Sequence, residues 1–135
     1  MLAGQVYNPG QDEELVTELT ACKAKCLRYN QLPSGAEKKE LLKEILGQSG
    51  ENCHIEPNFW CDYGWNIKVG DNFYANHNLT VLDAGGVTFG DNSVIGAGSV
   101  VVKDVPANSV AAGNPCRVIR EITEADKNSD LNWKK

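Results

Sequence analysis

Few side chains in this 135-residue chain are equipped for covalent or proton-transfer chemistry, and the histidines are the first to consider. There are only two. His54 stands before Ile55-Glu56-Pro57, and His77 lies between Asn76 and Asn78. The five cysteines are Cys22, Cys26, Cys53, Cys61 and Cys116. None falls in a Cys-His arrangement, so nothing points to an acyl-enzyme intermediate. Cys22 and Cys26 are four apart on a predicted helix and could share a metal ion. With no CxxC pair and no second pair to complete a site, the expectation is buried structural thiols and no metal. Lys103, Arg117 and Arg120 are cations in the C-terminal half; each reads either as surface charge or as a contact for an anionic ligand.

The elements that must position these groups are of two kinds. Leu15, Leu19, Cys22, Cys26 and Tyr29 step by four and three, which is one face of a helix. Asp12, Glu13 and Glu14 put acids at its start. After Pro33, the pair Ser34 and Glu37 has capping-box spacing, and Leu41, Leu42, Ile45 and Leu46 form the apolar face of a second helix ending near Gly47. Alone such helices are too short to be stable, so they must pack on something larger.

From about Ile55 the texture changes to runs of two or three strand formers broken by Gly, Asn and Asp. The stretch VTFGDNSVIGAGSVVVKD has a period of six. Rungs can be laid out with first positions Val69, Ala75, Val81, Phe89, Ile95, Val101 and Ala107, all expected to point inward. Fifth positions, Phe73, Leu79, Ser93, Ser99 and Val105, are small or apolar too. Hexapeptide spacing predicts a parallel β-helix in which each rung is one flat side of a triangular prism. A coil would then be 18 residues, and the repeated GDN at 70–72 and 90–92 would be one coil plus a two-residue shift at Gly85-Gly86. A sandwich or barrel would show longer period-two alternation instead.

These residues resemble a known family. AGQVYN near the N-terminus, IEPNFWCDYGWNIKVGDNFYANHNLTVLD, and GDNSVIGAGSVVVKDVPANSVAAGNPCRVIREI look like maltose and galactoside O-acetyltransferases, from Leu2 to about Lys127. The resemblance implies a mainly β fold, a left-handed parallel β-helix preceded by a small helical segment, assembled as a homotrimer. It divides the chain into a helical segment (1–52), a shortened β-helix (53–120) and a C-terminal tail (121–135). It implies transfer of an acetyl group from acetyl-CoA, as co-substrate, to a sugar hydroxyl. By the same resemblance Asn76, Asp83 and Asp62 fall at acceptor-binding positions. Ala97, Val102, Lys103, Arg117 and Arg120 fall at CoA-binding positions.

One departure accompanies the match. Family members carry further coils after this GDN, with a His-Pro motif whose histidine is the general base. Here VTFGDN runs straight into SVIGAGSVVVKD, which implies an internal deletion of roughly three coils joined at the shared triplet. About three and a half coils would remain, near the minimum for a stable stack. No residue is carried over as catalytic. His77, third in its rung, is expected on the surface. With coils ~4.8 Å apart, the deletion would move the CoA end relative to the acceptor end by an amount on the order of 14 Å. The implied function is thus a sugar O-acetyltransferase lacking the family's base; the alternative is a non-catalytic trimeric β-helix retaining weak CoA binding.

Composition sets the outer limits. Thirteen Lys and Arg against 18 Asp and Glu give a net charge of −5, which argues against nucleic acid as a partner. No apolar run approaches the ~20 residues of a membrane span. The opening MLAGQVYNPG has no signal-peptide pattern, and the odd cysteine count suits a reducing cytoplasm.

Overall fold

The computed structural model describes residues 13–127. Two helices, α1 (Glu13–Gln31) and α2 (Ala36–Ile45), precede eleven short strands and a final turn of helix. The strands are β1 (Gln48–Ser49), β2 (His54–Ile55), β3 (Phe59–Cys61), β4 (Ile67–Val69), β5 (Tyr74–Ala75), β6 (Leu79–Val81), β7 (Val87–Phe89), β8 (Val94–Ile95), β9 (Val100–Val101), β10 (Ser109–Ala112) and β11 (Arg117–Glu121). The last helix is α3 (Glu124–Lys127). Asp12 and the AGQVYN segment lie outside the described residues.

The strands form three parallel faces. The first is β1-β4-β7, the second contains β2-β5-β8-β10, and the third is β3-β6-β9. Successive strands of the chain move to the next face, so the polypeptide winds into a solenoid of about three turns, as the period of six requires. The first strand at Gln48–Ser49 precedes the boundary expected at residue 53.

Coil length differs from the expected 18. The Asn ladder between Asn52, Asn72 and Asn92 has a separation of 20 residues at each step, then 16 to Asn108. Two extra residues therefore sit at the corner of both upper coils, at 62–66 and 83–86, rather than at one local shift. The last coil is correspondingly short. Its register puts Val105 opposite Phe89, so Val105 fills the inward position and Ala107 is exposed. The other first-position residues, Val69, Ala75, Val81, Phe89, Ile95 and Val101, are all buried as expected.

Serine fills three inward sites by satisfying itself. Ser93, Ser99 and Ser109 are buried, and each hydroxyl donates to the carbonyl three residues earlier, on Gly90, Gly96 and Pro106. A buried hydroxyl without such a partner would cost a few kcal/mol. At the corner between the first and second faces, Asn52, Asn72, Asn92 and Asn108 all hold positive φ, near 55–59°. Their side-chain amides bond one to the next at 3.0–3.1 Å. Asn tolerates the left-handed region better than other non-Gly residues. Gly70 is required there for space, because a Cβ would collide with the Asp91 side chain.

The helices close one end of the stack. Cys22, Cys26 and Tyr29 of α1 and Leu41, Leu42 and Ile45 of α2 are buried. Asn30 uses its side-chain amide as a strand would use backbone. It donates to the Phe59 carbonyl at 3.1 Å and accepts the Phe59 N–H at 2.8 Å. The Tyr29 hydroxyl donates to the Ile55 carbonyl at 2.6 Å. The expected capping box is not formed: Gly35 is the N-cap of α2, with no side-chain cap bond. At the other end β11 folds back antiparallel on β10.

Candidate functional site

The sequence-predicted site residues occupy two corners of the prism. The corner between the second and third faces stacks residues 56–58, 76–78, 96–98 and 112–114. Asn76 is half-buried here, its Oδ1 accepting the N–H of His77 at 2.8 Å.

His77 is exposed, and its Nδ1 lies 2.7 Å from the Pro57 carbonyl oxygen. A carbonyl can only accept, so Nδ1 carries a proton, and in the neutral tautomer the lone pair is on Nε2. The His77 carbonyl in turn accepts the N–H of Gly98 at 2.9 Å, which sets Ala97 one coil away on the same corner. The structure thus brings together Asn76, His77 and Ala97.

The corner between the third and first faces carries Asp62, Asp83, Val102 and Lys103. Asp83 is 0% exposed, and its carboxylate receives the N–H groups of Asp62, Tyr63 and Gly64 at 2.9, 3.0 and 2.7 Å. The carboxylate holds the five-residue turn of the coil above. Asp104 repeats the device with one bond, accepting the Thr88 N–H at 2.8 Å. Asp62 is half-buried, and its carboxyl is raised above the usual range by burial and then by the nearby Asp83 charge. Val102 and Leu82 are exposed apolar residues beside it, 47% and 42% accessible, with Trp65 at 45%.

Asn76 and Asp83 stand at opposite ends of β6. One side of the prism separates them, a distance on the order of 15 Å. Within one chain they do not converge on one ligand.

The cations also separate. Lys103 and Arg117 are exposed and, among the described residues, make no ion pair. Arg120 is engaged within the chain, with Nη1 2.6 Å from Asp126 Oδ2. Thr123 adds backbone and hydroxyl donors to the same oxygen. Arg120 first, then the Thr123 backbone, hold the Asp126 carboxyl down to about 2.

Two arrangements were not visible in the sequence. His54 Nε2 lies 2.7 Å from Glu56 Oε1, and the His54 ring stacks on Tyr74 with centroids 5.3 Å apart. Only the alternation of β2 hinted that His54 and Glu56 share an outward face. The Glu56 carboxyl is held below its ordinary value, chiefly by the His54 hydrogen bond. The second arrangement is the meeting of Cys61 with the two helix cysteines, taken up below.

Comparison with known proteins accounts for this layout. Residues 1–50 match the maltose acetyltransferase hexapeptide capping motif. The whole chain aligns with 97% of a Saccharomyces cerevisiae protein named as an acetyltransferase, 36% identical over 191 positions. The chain belongs to the maltose and galactoside O-acetyltransferase family. The Escherichia coli galactoside O-acetyltransferase is 39% identical over 150 positions, covering 70% of this chain and 74% of that protein. A solved galactoside acetyltransferase in complex with coenzyme A superposes with a TM-score of 0.67 at 34% identity, over 95% of this chain and 92% of the other. A maltose O-acetyltransferase from Clostridium difficile gives a TM-score of 0.59 at 34% identity, covering 90% of this chain and 95% of that one. The fold is the hexapeptide-repeat left-handed β-helix of this family. Helices α1 and α2 fall within the capping motif, which agrees with their place over the first coil.

Proposed function

We propose that this chain is a shortened sugar O-acetyltransferase that takes its acetyl group from acetyl-CoA and uses His77 as the base for the acceptor hydroxyl. The observation that carries this reading is the Nδ1 anchor of His77 on the Pro57 carbonyl. A sugar hydroxyl is a poor nucleophile at neutral pH and needs a neighbouring proton acceptor. The anchored ring offers that acceptor at an exposed Nε2, beside the Asn76 amide. In the direct, ternary-complex mechanism, the hydroxyl oxygen attacks the thioester carbonyl as Nε2 takes its proton, and the CoA thiolate leaves.

Shortening is supported by length. The alignment with the yeast relative runs over 191 positions, against 135 residues here, an excess of roughly three coils. The separation of Asn76 from Asp62 across the third face supports a trimer. A neighbouring copy would have to bring its Asp62 corner, with Lys103, to the His77 corner to complete one site. Lys103 and Arg117 are the cations available for the CoA phosphates. Asp83 acts by shaping the turn rather than by touching the sugar.

A second reading, a non-catalytic β-helix, is favoured by the internal ion pair of Arg120 and the burial of Asp83. Thiol release from acetyl-CoA, followed with maltose, glucose and galactosides as acceptors, separates the two. Acceptor-dependent release supports the enzyme; its absence in protein that still binds CoA supports the binding module. Light scattering gives the assembly, and a monomer would remove the intersubunit site.

A further inference from the structure

Three thiols converge where α1 crosses the first coil. Cys22 and Cys26 come from successive turns of α1, and Cys61 comes from the end of β3. The Cys61 sulfur lies 3.4 Å from that of Cys22 and 3.8 Å from that of Cys26. All three sulfurs fall within 4.8 Å of one another. The residues are 4%, 0% and 2% exposed, and all three are free thiols.

We infer that Cys22, Cys26 and Cys61 form a three-coordinate site for a soft monovalent d10 cation, Cu(I). The geometry points there on three counts. Sulfurs bound at ~2.3 Å around one ion in a trigonal plane are roughly 4 Å apart; two observed spacings, 3.4 and 3.8 Å, fall just inside that value and the third is within 4.8 Å. Thiolate-only donor sets select soft ions over hard ones. A tetrahedral zinc ion would need a fourth ligand, and the nearby Asp83 carboxylate is committed to three backbone N–H groups. A disulfide between Cys22 and Cys61 would leave the third convergent sulfur without a role.

Metal binding requires thiolates. Loading would displace thiol protons, so affinity should rise with pH. The site would clasp the capping helix to the first coil, so its loading would stabilise the fold; it borders the Asp62 and Asp83 corner and lies away from the His77 corner.

The test is anaerobic titration of the reduced full chain with Cu(I), against a colorimetric Cu(I) chelator as competitor. One equivalent per chain is expected, with the ultraviolet-excited luminescence of a water-shielded Cu(I)–thiolate centre. Cys22→Ser, Cys26→Ser and Cys61→Ser should each weaken binding at least about tenfold. Cys53→Ser and Cys116→Ser should leave it unchanged. Should a cluster variant fail to fold, X-ray absorption of the wild-type complex decides: three sulfurs and no nitrogen support the site. Binding that survives all three cluster substitutions overturns it, as does a wild-type chain that cannot hold one equivalent against the chelator.

Discussion

The Nδ1 of His77 rests 2.7 Å from the carbonyl oxygen of Pro57, one coil away in the stack. The bond fixes both the tilt of the ring and the position of its proton. Replacing His77 with Ala should lower kcat/KM by about a hundredfold or more, the usual share of a general base. KM for acetyl-CoA should move little. Steady-state thiol-release rates for the two proteins check this; equal rates would place the base elsewhere.

Asp83 should matter for stability before it matters for turnover. Asp83→Ala strands three backbone N–H groups under the 62–66 turn and should cost about 3 kcal/mol. Asp83→Asn keeps the shape but replaces one acceptor oxygen with a donor, so it should be intermediate. Urea midpoints at neutral pH measure both.

The Asn ladder couples strain to hydrogen bonding. Asn72→Ala should destabilise by about 2 kcal/mol, from a positive φ without an amide to support it and two broken ladder bonds. Asn72→Gly relieves the backbone part and should lose less. The order Asn, Gly, Ala in unfolding midpoint is the expected result.

Glu56 supplies a pH signature. Its folded value lies below the ordinary carboxylate value because His54 donates to it. That contribution is fully present above the unfolded carboxylate range and is lost as pH falls through the depressed value. Stability of the native chain should therefore drop more steeply between roughly pH 5 and pH 3 than that of Glu56→Gln. Thermal midpoints across that range compare the two slopes.

The cations divide into available and engaged. Lys103→Ala and Arg117→Ala should each weaken CoA binding by about threefold to tenfold, and the effect should shrink in salt. Arg120→Ala should change it by less than about twofold, because Asp126 already holds that guanidinium. Calorimetric titration at two ionic strengths makes the comparison.

The solenoid was legible because its inward residues repeat with the faces they line: Val69, Phe89, Ala75 and Ile95 announce a register with no reference to distant contacts. Coil length was not. Two extra corner residues leave the inward pattern intact on either side, so Gly85-Gly86 read as one local shift, and its counterpart at 62–66, ahead of the first rung laid out, went unread. Ala107 was misplaced because the last coil drops residues at Lys103-Asp104, where apolar Val101 and Val105 sit four apart and either phase looks acceptable. At the site, the family resemblance singled out Asn76, Ala97 and Lys103, which lie at corners of the prism. It could not tell that Asp83 faces a turn above it, or that Arg120 would find Asp126. Both outcomes depend on a partner whose direction the one-dimensional pattern does not contain. Cys61 was likewise invisible beside Cys22 and Cys26, since only the crossing of α1 over β3 unites them.

A stack of parallel strands presents unpaired N–H and C=O groups at its last rung, and another molecule could add there to grow a fibre. In this chain β11 runs back along β10 with reversed polarity, and the Gly113 carbonyl and Cys116 N–H bond to Val100 on β9. Those two pieces occupy the parallel edges of β10 and β9. With those two edges occupied, the number of coils could change without exposing them as a route to polymerisation.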